Sequence, residues 1–397
     1  MIYLDYAATT PIDREVLDEM IPWLEYGFGN PGSRYAAGRQ ARFAVDRARK
    51  QVADLINAEP EKIIFTSGGS EANNLAILGV QNHLQEFHRE GILISPTEHS
   101  SAIRSADELY CRLKMCGDAS IDYLKLGSDG AVDVESLKND RFERKGLLIA
   151  MKSNNETGIS NDVKTISEFA KEAGMLYHMD AVQALGTYPI DVKDIGCTSM
   201  SMSSHKINGP KGVGALYAAH PKFLKPVIYG GKAQELGLRA GTENVVGIVG
   251  FGKACEIAKR DMEKNRKKTS AACEAFMASL MHEVFKYDIQ SLYHVNAWNR
   301  GDDVQKTVSI RFDGIDAETL VMLLDTKGVC VSEGAACEGS SVEASHVLTA
   351  MGLTKDQARN SIRVSFSKYT TETDAVFAAQ IMAQCIGSLT KLGAENV

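Results

Sequence analysis

Short apolar segments alternate with amphipathic stretches over most of the first 260 residues, and this alternation most constrains the fold. Apolar strands separated by helices predict a mainly parallel β-sheet that is covered by helices on both faces. The predicted strands are 63–65, 92–95, 147–151, 175–179, 199–203 and 213–217. The predicted helices are 13–26, 36–56, 72–80, 101–115, 162–173 and 247–285. We therefore expect an α/β fold that binds its ligand at the carboxyl ends of the strands.

Length and charge narrow the class of protein further. The chain has 397 residues and a net charge of -7, with 24% charged and 44% hydrophobic residues. Its length predicts two domains. The negative charge argues against nucleic acid as a partner, because phosphate binding needs a basic surface. Without a long apolar run or a signal-peptide pattern, the chain is expected to be cytoplasmic and to have no membrane span.

Lys206 lies in a stretch that predicts two strands joined by a tight turn. Small polar residues precede it, Gly209 and Pro210 follow it, and the apolar segment 213–217 comes next. A lysine at such a bend is usually a solvated turn residue. Other motifs in the chain decide whether this lysine has another role.

Polar segments follow several other predicted strands. The segment 66–71, Thr-Ser-Gly-Gly-Ser-Glu, joins a strand to a helix. Such a turn directs free N–H groups and a helix dipole at one point, which suits an anion. The alternative is a tight turn that uses glycine for its geometry alone. Other polar segments are 96–99, 153–158 and 178–183, and Asp180 taken alone is most often a helix N-cap.

Together these groups describe a pyridoxal phosphate site. Lys206 supplies an amine, Asp180 a carboxylate that keeps a pyridine nitrogen charged, and His99 an aromatic-sized ring, while 66–71 supplies the phosphate cradle. A nucleotide-binding P-loop is the competing interpretation of 247–254. However, alanine stands there where a serine or threonine must bind Mg²⁺, so glycine-assisted helix packing is favoured.

Eight cysteines are scattered along the chain, and none forms a Cys-x-x-Cys pair. This spacing predicts neither a metal site nor a disulfide framework. Most of the cysteines are expected to be small buried hydrophobic residues.

In their order along the chain, these motifs resemble those of the cysteine desulfurases of the NifS/IscS-like branch, within the class V aminotransferase-like enzymes. The matching segments are 4–11, 29–31, 66–74, 97–99, 154–156, 180–183, 204–206, 239–244 and 334–337. The resemblance implies the PLP-dependent transferase-like fold (fold type I), with a large domain on a mainly parallel seven-stranded sheet and a smaller α+β domain. It also implies an obligate homodimer.

We place the large, cofactor-binding domain at 13–261 and the small domain at 1–12 and 262–397. In the small domain, the segment 307–312 alternates like a half-buried strand, and 362–366 is predicted to pair with it. The small domain is also expected to carry the catalytic cysteine loop.

The resemblance assigns a role to each matching residue. Lys206 looks like the lysine that binds pyridoxal 5'-phosphate as a Schiff base, Asp180 like the partner of its ring nitrogen, and His99 like the histidine stacked on the ring. Asn155 and Arg363 look like the pair that holds the carboxylate of L-cysteine, for which a bidentate guanidinium is well suited. The implied cofactor residues also include Gly69, Ser70, Asn155, Gln183, Ser203, His205 and, from the neighbouring subunit, Thr242.

Cys337 looks like the sulfur-accepting residue. It lies in 331–341, a stretch of small residues that predicts a mobile surface loop. The implied reaction converts L-cysteine to L-alanine and leaves a persulfide on Cys337. A sulfur-acceptor protein, for iron–sulfur cluster assembly or thiolation, would then receive the sulfur. Ala335 and Glu338 depart from the usual family pattern, in which serine precedes the cysteine by two residues and serine or threonine follows it.

Two other functions stay open at this stage. A cysteine or selenocysteine lyase, or an aminotransferase, would need Lys206 and Asp180 but not Cys337. A sulfur-trafficking or scaffold protein without catalysis would need no cofactor at all.

Overall fold

The computed structural model describes residues 1–394 except 138–144, 232, 300–303 and 335–343. The strands in these residues are β1 (Ile2–Tyr3), β2 (Ile63–Thr66), β3 (Gly91–Ile94), β4 (Ser120–Tyr123), β5 (Lys145–Ile149), β6 (Leu176–Asp180), β7 (Ser199–Ser203), β8 (Gly214–Ala218), β9 (Tyr293–Ala297), β10 (Thr307–Phe312), β11 (Val329–Cys330) and β12 (Ser361–Ser365). The α-helices are α1 (Arg14–Glu25), α2 (Ala36–Leu55), α3 (Gly69–Gly79), α4 (Gln81–Glu86), α5 (Ser100–Lys114), α6 (Val134–Leu137), α7 (Val163–Glu172), α8 (Val192–Ile195), α9 (Val245–Lys286), α10 (Ala317–Thr326), α11 (His346–Ala350), α12 (Lys355–Arg359) and α13 (Glu372–Ala394). Short 3-10 turns lie at Pro60–Lys62, Ser204–Lys206, Pro221–Phe223 and Glu235–Gly237.

Seven strands form the central sheet, in the order β2-β8-β7-β6-β5-β3-β4. The five strands from β7 to β4 run parallel, whereas β8 is antiparallel to both of its neighbours. This arrangement confirms the predicted α/β fold with a mainly parallel seven-stranded sheet. Strand β4 was not predicted, because it is a largely exposed edge strand with polar side chains and no apolar run.

The inner strands are buried on both faces of the sheet. Along β3, Leu93 belongs to an apolar cluster that includes α2 and the first half of α9, whereas Ile92 and Ile94 belong to a cluster with α3 and α5. Successive side chains of a strand point to opposite faces, so a sheet covered on both sides needs continuous apolar runs. This requirement is why the sequence pattern predicted these strands correctly.

Glycines near the start of α9 let it pack closely against α1 and α2. A Cβ on Gly252 would lie 2.6 Å from the Cα of Ala48, and a Cβ on Gly250 would lie 2.6 Å from the Sδ of Met20. Any side chain at these positions would push the helices apart. The contacts confirm helix packing as the role of the glycines in 247–254.

A separate apolar cluster joins the two ends of the chain. It contains Leu4, Phe276 of α9, Val308 of β10 and much of α13. Strands β12, β10 and β9 form an antiparallel sheet beside it, which confirms the predicted pairing of 307–312 with 362–366. Helix α9 contributes to this cluster and to the one under the central sheet. The division at residue 261 therefore stays a prediction.

Several chemical features were sought across the described residues. No helix there is both long and apolar enough to cross a bilayer. No group of three or more His, Cys, Asp or Glu side chains there is placed to hold a metal ion. The seven described cysteines are free thiols, and four of them are buried: Cys197, Cys255, Cys273 and Cys385. Cys337 and its predicted mobile loop lie outside the described residues.

Candidate active site

A cavity of about 390 Å³ lies at the carboxyl ends of the central strands. Thr242 is exposed and does not line this cavity. The predicted site residues that do line it are Gly69, Ser70, His99, Asn155, Asp180, Gln183, Ser203, His205, Lys206 and Arg363. The fold therefore brings together, in one place, ten residues that are spread over nearly 300 positions of the sequence.

Lys206 is the last residue of the turn that follows β7. Strands β7 and β8 pair antiparallel, with Ser203 opposite Gly214, and the turn between them carries the lysine. Its Nζ donates hydrogen bonds to the backbone oxygens of Ala7, at 2.5 Å, and Ala8, at 2.8 Å. The predicted strand, turn and strand are confirmed, and the amine lies at the cavity instead of in a solvated turn.

Asp180 ends β6 and is only 5% exposed. Its Oδ1 accepts the N–H of Val182 at 2.9 Å, and its Oδ2 accepts a hydrogen bond from the side-chain amide of Asn73 at 2.8 Å. Two N–H donors stabilise a carboxylate in its charged form. Three residues further on, the Nε2 of Gln183 donates to the backbone oxygen of Ala7 at 2.9 Å.

His99 caps the amino end of α5. Its Nδ1 accepts the backbone N–H of Ser101 at 3.1 Å and lies 2.7 Å from the Oγ of the same serine. Because Nδ1 accepts from a backbone N–H, the neutral ring carries its proton on Nε2. The cap thus determines the histidine tautomer at the cavity.

The first turn of α3 forms a cradle beside these residues. The helix begins at Gly69, three residues before the predicted start. The N–H groups of Gly69 and Ser70 lie in this first turn, so they have no acceptor within the helix. A Cβ on Gly69 would lie 2.5 Å from Val182 Cγ2, so only glycine fits without a shift. Free N–H groups at the positive end of a helix suit an anion.

His205 stands beside Lys206 at the same cavity. Burial lowers the pKa of His205 to about 4, and the positive charges of Lys206 and Lys211 act in the same direction. Its Nδ1 lies 3.1 Å from the Oγ1 of Thr9. The imidazole is therefore neutral at neutral pH and offers hydrogen bonds without adding a second charge.

Arg363 lies on β12 and is almost fully buried. Its Nη2 forms an ion pair with Asp5 Oδ1 at 2.8 Å, and its Nη1 donates to the backbone oxygen of Asn155 at 3.0 Å. Its Nε is buried and has no hydrogen-bond partner among the described residues. Buried donors normally have an acceptor, so this guanidinium has capacity for a ligand. Arg363 and Asn155 are adjacent, as predicted.

A buried layer beneath the cavity was not predicted from the sequence. Asn73 and His178 are both buried, and the Nε2 of His178 donates to the Oδ1 of Asn73 at 3.0 Å. Glu98 is also buried and accepts the N–H of Met151 at 2.6 Å. His178 could have been placed near the site from the sequence, because it precedes Asp180 by two residues on a strand and therefore points to the same face of the sheet.

The described residues on either side of the segment 335–343 lie near the cavity. After it, Ser345 donates to Glu156 Oε2 at 2.5 Å; before it, a Cβ on Gly334 would lie 3.4 Å from the same oxygen. Glu156 itself lines the cavity. Two residues before Gly334, the N–H of Ser332 donates to the backbone oxygen of Arg363 at 3.1 Å. The structure therefore brings the sequence that flanks Cys337 to the site.

Comparison with known proteins identifies the family. The sequence profile of the Aminotransferase class-V family matches residues 2–376. The chain belongs to this family. Cysteine desulfurase IscS of Dictyoglomus turgidum is 37% identical over 388 residues, which cover 98% of this chain and 95% of the relative.

Solved structures agree with this assignment. A NifS-like protein superposes with a TM-score of 0.86 at 31% identity and covers 97% of this chain and 99% of its own. SspA in complex with cysteine superposes with a TM-score of 0.75 at 32% identity, covering 94% of this chain and 100% of its own. The resemblance to the NifS/IscS-like branch of cysteine desulfurases and to its fold is confirmed.

Enzymes of this family depend on pyridoxal 5'-phosphate, and the residues at the cavity fit that group. Lys206 presents an amine, and Asp180 presents a carboxylate held by two N–H donors. The first turn of α3 offers free N–H groups where a Cβ at Gly69 would clash. An amine, a hydrogen-bonded carboxylate and the free N–H groups of a helix start thus line one cavity, and these are the groups that such a cofactor needs.

Proposed function

We propose that this protein is a cysteine desulfurase that removes sulfur from L-cysteine, releases L-alanine and leaves a persulfide on Cys337. One observation carries the proposal. Lys206, Asp180 and Arg363 line a single cavity, and the described residues on either side of the segment containing Cys337 lie beside Glu156 of the same cavity. The similarity to SspA, which was solved in complex with cysteine, supports the same substrate.

Each group of residues would hold one part of pyridoxal 5'-phosphate. Lys206 would bind it covalently, Asp180 would hold the ring nitrogen, Gln183 would lie beside the phenolic oxygen, and His99 would contact the ring. When bound, the cofactor supplies an electron sink that weakens the bonds at the substrate Cα. The residues that would hold the phosphate are Gly69, Ser70, Ser203, His205 and, from a second copy of the chain, Thr242.

Arg363 would bind the carboxylate of L-cysteine. Asp5 and the backbone oxygen of Asn155 hold its Nη atoms, which orients the guanidinium and leaves Nε available. A planar guanidinium binds a carboxylate with defined geometry. With the substrate fixed in this way, the amine of Lys206 would move the proton at Cα, since a positioned base must lie within hydrogen-bond reach of that proton.

Cys337 would take the sulfur atom. It lies three residues beyond Gly334, and three residues of extended chain span about 10 Å at most. Its thiolate would form a bond to the substrate sulfur while the substrate Cβ–S bond breaks, and the electron pair would stay with the carbon product, which gains protons to become alanine. L-Cysteine and one thiol thus give L-alanine and one persulfide, so the step needs no external oxidant. A sulfur-acceptor protein would then remove the terminal sulfur.

The deciding experiment measures alanine formed from L-cysteine by the cofactor-loaded protein in the presence of a thiol reductant. We expect Cys337→Ala to abolish alanine formation, and Cys330→Ala, a matched change of a cysteine that does not line the cavity, to leave it nearly intact. Undiminished turnover by Cys337→Ala would refute the desulfurase and favour a lyase. Lys206→Ala should remove the visible band of the bound cofactor; a wild-type protein without such a band would favour a non-catalytic role.

We also propose a homodimer as the working form. Large apolar side chains are exposed on α2, in the segment before it and in the loop that carries Thr242, and exposed apolar patches mark protein interfaces. They include Tyr26, Phe28, Tyr35, Phe43, Tyr229 and Leu236. A second copy on this face would bring its Thr242 toward the phosphate residues, which Thr242 does not reach within its own chain.

A further inference from the structure

We propose that Asn73 is a positioning residue that holds both Asp180 and His99 in place through one side-chain amide. This role rests on the proposed function, because Asp180 and His99 are the residues assigned there to the cofactor ring. Asn73 itself belongs to neither the phosphate cradle nor the substrate pair. It lies on α3 one turn after Gly69, is buried and lines the cavity.

The amide of Asn73 uses all of its polar atoms. Nδ2 donates to Asp180 Oδ2 at 2.8 Å and to the Oγ of Ser101 at 2.9 Å. Oδ1 accepts a hydrogen bond from His178 Nε2 at 3.0 Å. A buried amide whose nitrogen and oxygen both form hydrogen bonds has one stable orientation, because rotating it would leave several buried groups unsatisfied.

Asp180 determines this orientation of Asn73, and His178 complements it. A carboxylate only accepts hydrogen bonds, so Asn73 must direct Nδ2 toward Asp180 and Oδ1 toward His178. The other ring nitrogen of His178 lies 2.9 Å from the Oγ of Ser199. Burial lowers the pKa of His178 to about 4, so the ring is neutral, with Nε2 protonated and Nδ1 accepting from the serine hydroxyl.

Ser101 carries the same constraint to His99. Its hydroxyl accepts from Asn73 and therefore directs its own proton to the Nδ1 of His99, 2.7 Å away. The backbone N–H of Ser101 donates to that nitrogen as well. One continuous set of hydrogen bonds thus runs from Ser199 through His178 and Asn73, where it divides to Asp180 and, through Ser101, to His99.

Removing Asn73 would release one carboxylate oxygen of Asp180. The other oxygen would keep its bond to the N–H of Val182, so the carboxylate would remain but would rotate more freely. A hydrogen bond to a charged group is worth enough to change an equilibrium or rate constant by about 10- to 100-fold. The contacts of Arg363 with Asp5 and Asn155 would be untouched, so binding of the substrate carboxylate should persist.

The test compares Asn73→Ala with Asn74→Ala, the neighbouring asparagine, whose amide donates to the Ser70 backbone oxygen. The readouts are the dissociation constant of pyridoxal 5'-phosphate, the pH dependence of its visible band, and kcat and KM for L-cysteine. For Asn73→Ala we expect weaker cofactor binding, a shifted band titration and a kcat lowered about 10- to 100-fold, with KM changed less than about threefold. Asn74→Ala should resemble the wild type in all four.

Ser101→Ala gives a second, milder variant that keeps the bond between Asn73 and Asp180. It should leave the titration of the visible band unchanged and lower kcat about fivefold, because the bonds of the hydroxyl to His99 and Asn73 are lost while the bond between Asn73 and Asp180 remains. Circular dichroism checks that each variant folds. If Asn73→Ala does not fold, Ser101→Ala still tests the proposal.

The possible failures are distinguishable. Normal cofactor binding, band titration and kcat in folded Asn73→Ala would overturn the positioning role, as would a Ser101→Ala variant with wild-type kcat if Asn73→Ala does not fold. A wild-type protein that shows the visible band but forms no alanine would refute the desulfurase, while the titration of its band would still test Asn73.

Discussion

Burial determines the charge of the side chains beneath the cavity. Glu98 and His178 are both completely buried. Burial, with a smaller contribution from the charge of Asp180, raises the pKa of Glu98 well above its usual range, and burial lowers the pKa of His178 to about 4. His178 is therefore neutral at neutral pH, and burial disfavours the charged form of Glu98. The buried imidazole adds no charge beside the Asp180 carboxylate.

Protonation of His178 should make the protein less stable in acid. Its pKa falls from 6.5 in the unfolded chain to about 4 in the folded protein, so the unfolded state binds more protons between these values. The free energy of unfolding must then fall by about 3 kcal/mol as the pH drops through this window. Urea unfolding across this pH range should show a shallower dependence for His178→Gln than for the wild type.

His220→Gln, at an exposed histidine, provides the control and should retain the wild-type slope. His205 also has a lowered pKa and likewise lowers the stability of the protein in acid. Its contribution is the same in the wild type and in both variants, so it does not affect the comparison. Parallel pH profiles for His178→Gln and the wild type would contradict the assigned role of His178.

Individual site residues were predictable only where the sequence marked them locally. Lys206, Asp180 and His99 each follow a predicted strand, so their position at the carboxyl edge of the sheet followed from the alternation of strands and helices. Asn73 lies in the middle of a helix, and its partner Asp180 is 107 positions away. Only the folded arrangement of α3 over β6 brings these two residues together.

At the scale of secondary structure, burial decides what the sequence predicts. Strands β5 and β7 are fully buried, and the apolar or small side chains of 147–149 and 199–203 led to predicted strands that overlap them. Edge strand β4 is exposed and polar, so its pattern does not differ from that of a loop. Helix α3 begins three residues before the predicted start because its first turn contains Gly69 and Ser70 and follows the glycine N-cap Gly68, which resembles the pattern of a loop.

The turn at Glu235–Gly237 is a strained element beside the sheet. Glu235 has φ 42° and Leu236 has φ 58°, both in the left-handed region that non-glycine residues avoid. Such backbone costs about 1–3 kcal/mol per residue. The buried Glu235 carboxylate offsets this cost by accepting from the guanidinium of Arg49 at 2.8 and 2.6 Å and from the N–H of Phe65 at 2.7 Å.

Replacing Glu235 with alanine should therefore destabilise the protein by about 3–5 kcal/mol, the usual cost of breaking a buried ion pair. The guanidinium of Arg49 would lose two of its acceptors, and nothing would compensate the left-handed backbone. Denaturant unfolding measures the loss. Glu59→Ala, which removes an exposed ion pair with Lys62, is the control and should change stability little. Equal effects of the two substitutions would show that the Arg49 pair does not stabilise the turn.

At the scale of the whole molecule, the cavity gathers residues from both ends of the chain. Ala7 and Arg363 come from segments associated with the second apolar cluster, whereas Lys206 and Asp180 come from the central sheet. Ala7 was not among the predicted site residues, but motif order, through the family resemblance, predicted that Lys206, Asp180 and Arg363 belong to one site. It could not predict how Asp5 orients Arg363, because that ion pair joins positions 358 apart.

The face proposed for dimerisation is continuous with the strained turn. Arg42 of α2 shares a cavity with Glu235, Leu236 and Glu243, so the surface of α2 and the loop before α9 are adjacent. Phe43, next to Arg42, is 72% exposed, and Leu236 is 59% exposed. An apolar face of this kind is costly in water and favours burial against a second copy.

Phe43→Glu should therefore convert the dimer into single chains. Sedimentation or light scattering should report twice the 43.2 kDa chain mass for the wild type and a single chain mass for the variant, because a buried carboxylate opposes association. Since Thr242 is proposed to reach the cofactor phosphate of the other copy, the variant should also release pyridoxal 5'-phosphate more readily. Phe377→Glu changes an equally large side chain that is 58% exposed on α13 and should alter neither property. A Phe43→Glu protein that keeps both its mass and its cofactor would place the interface elsewhere, whereas single chains that retain the cofactor normally would refute only the role of Thr242.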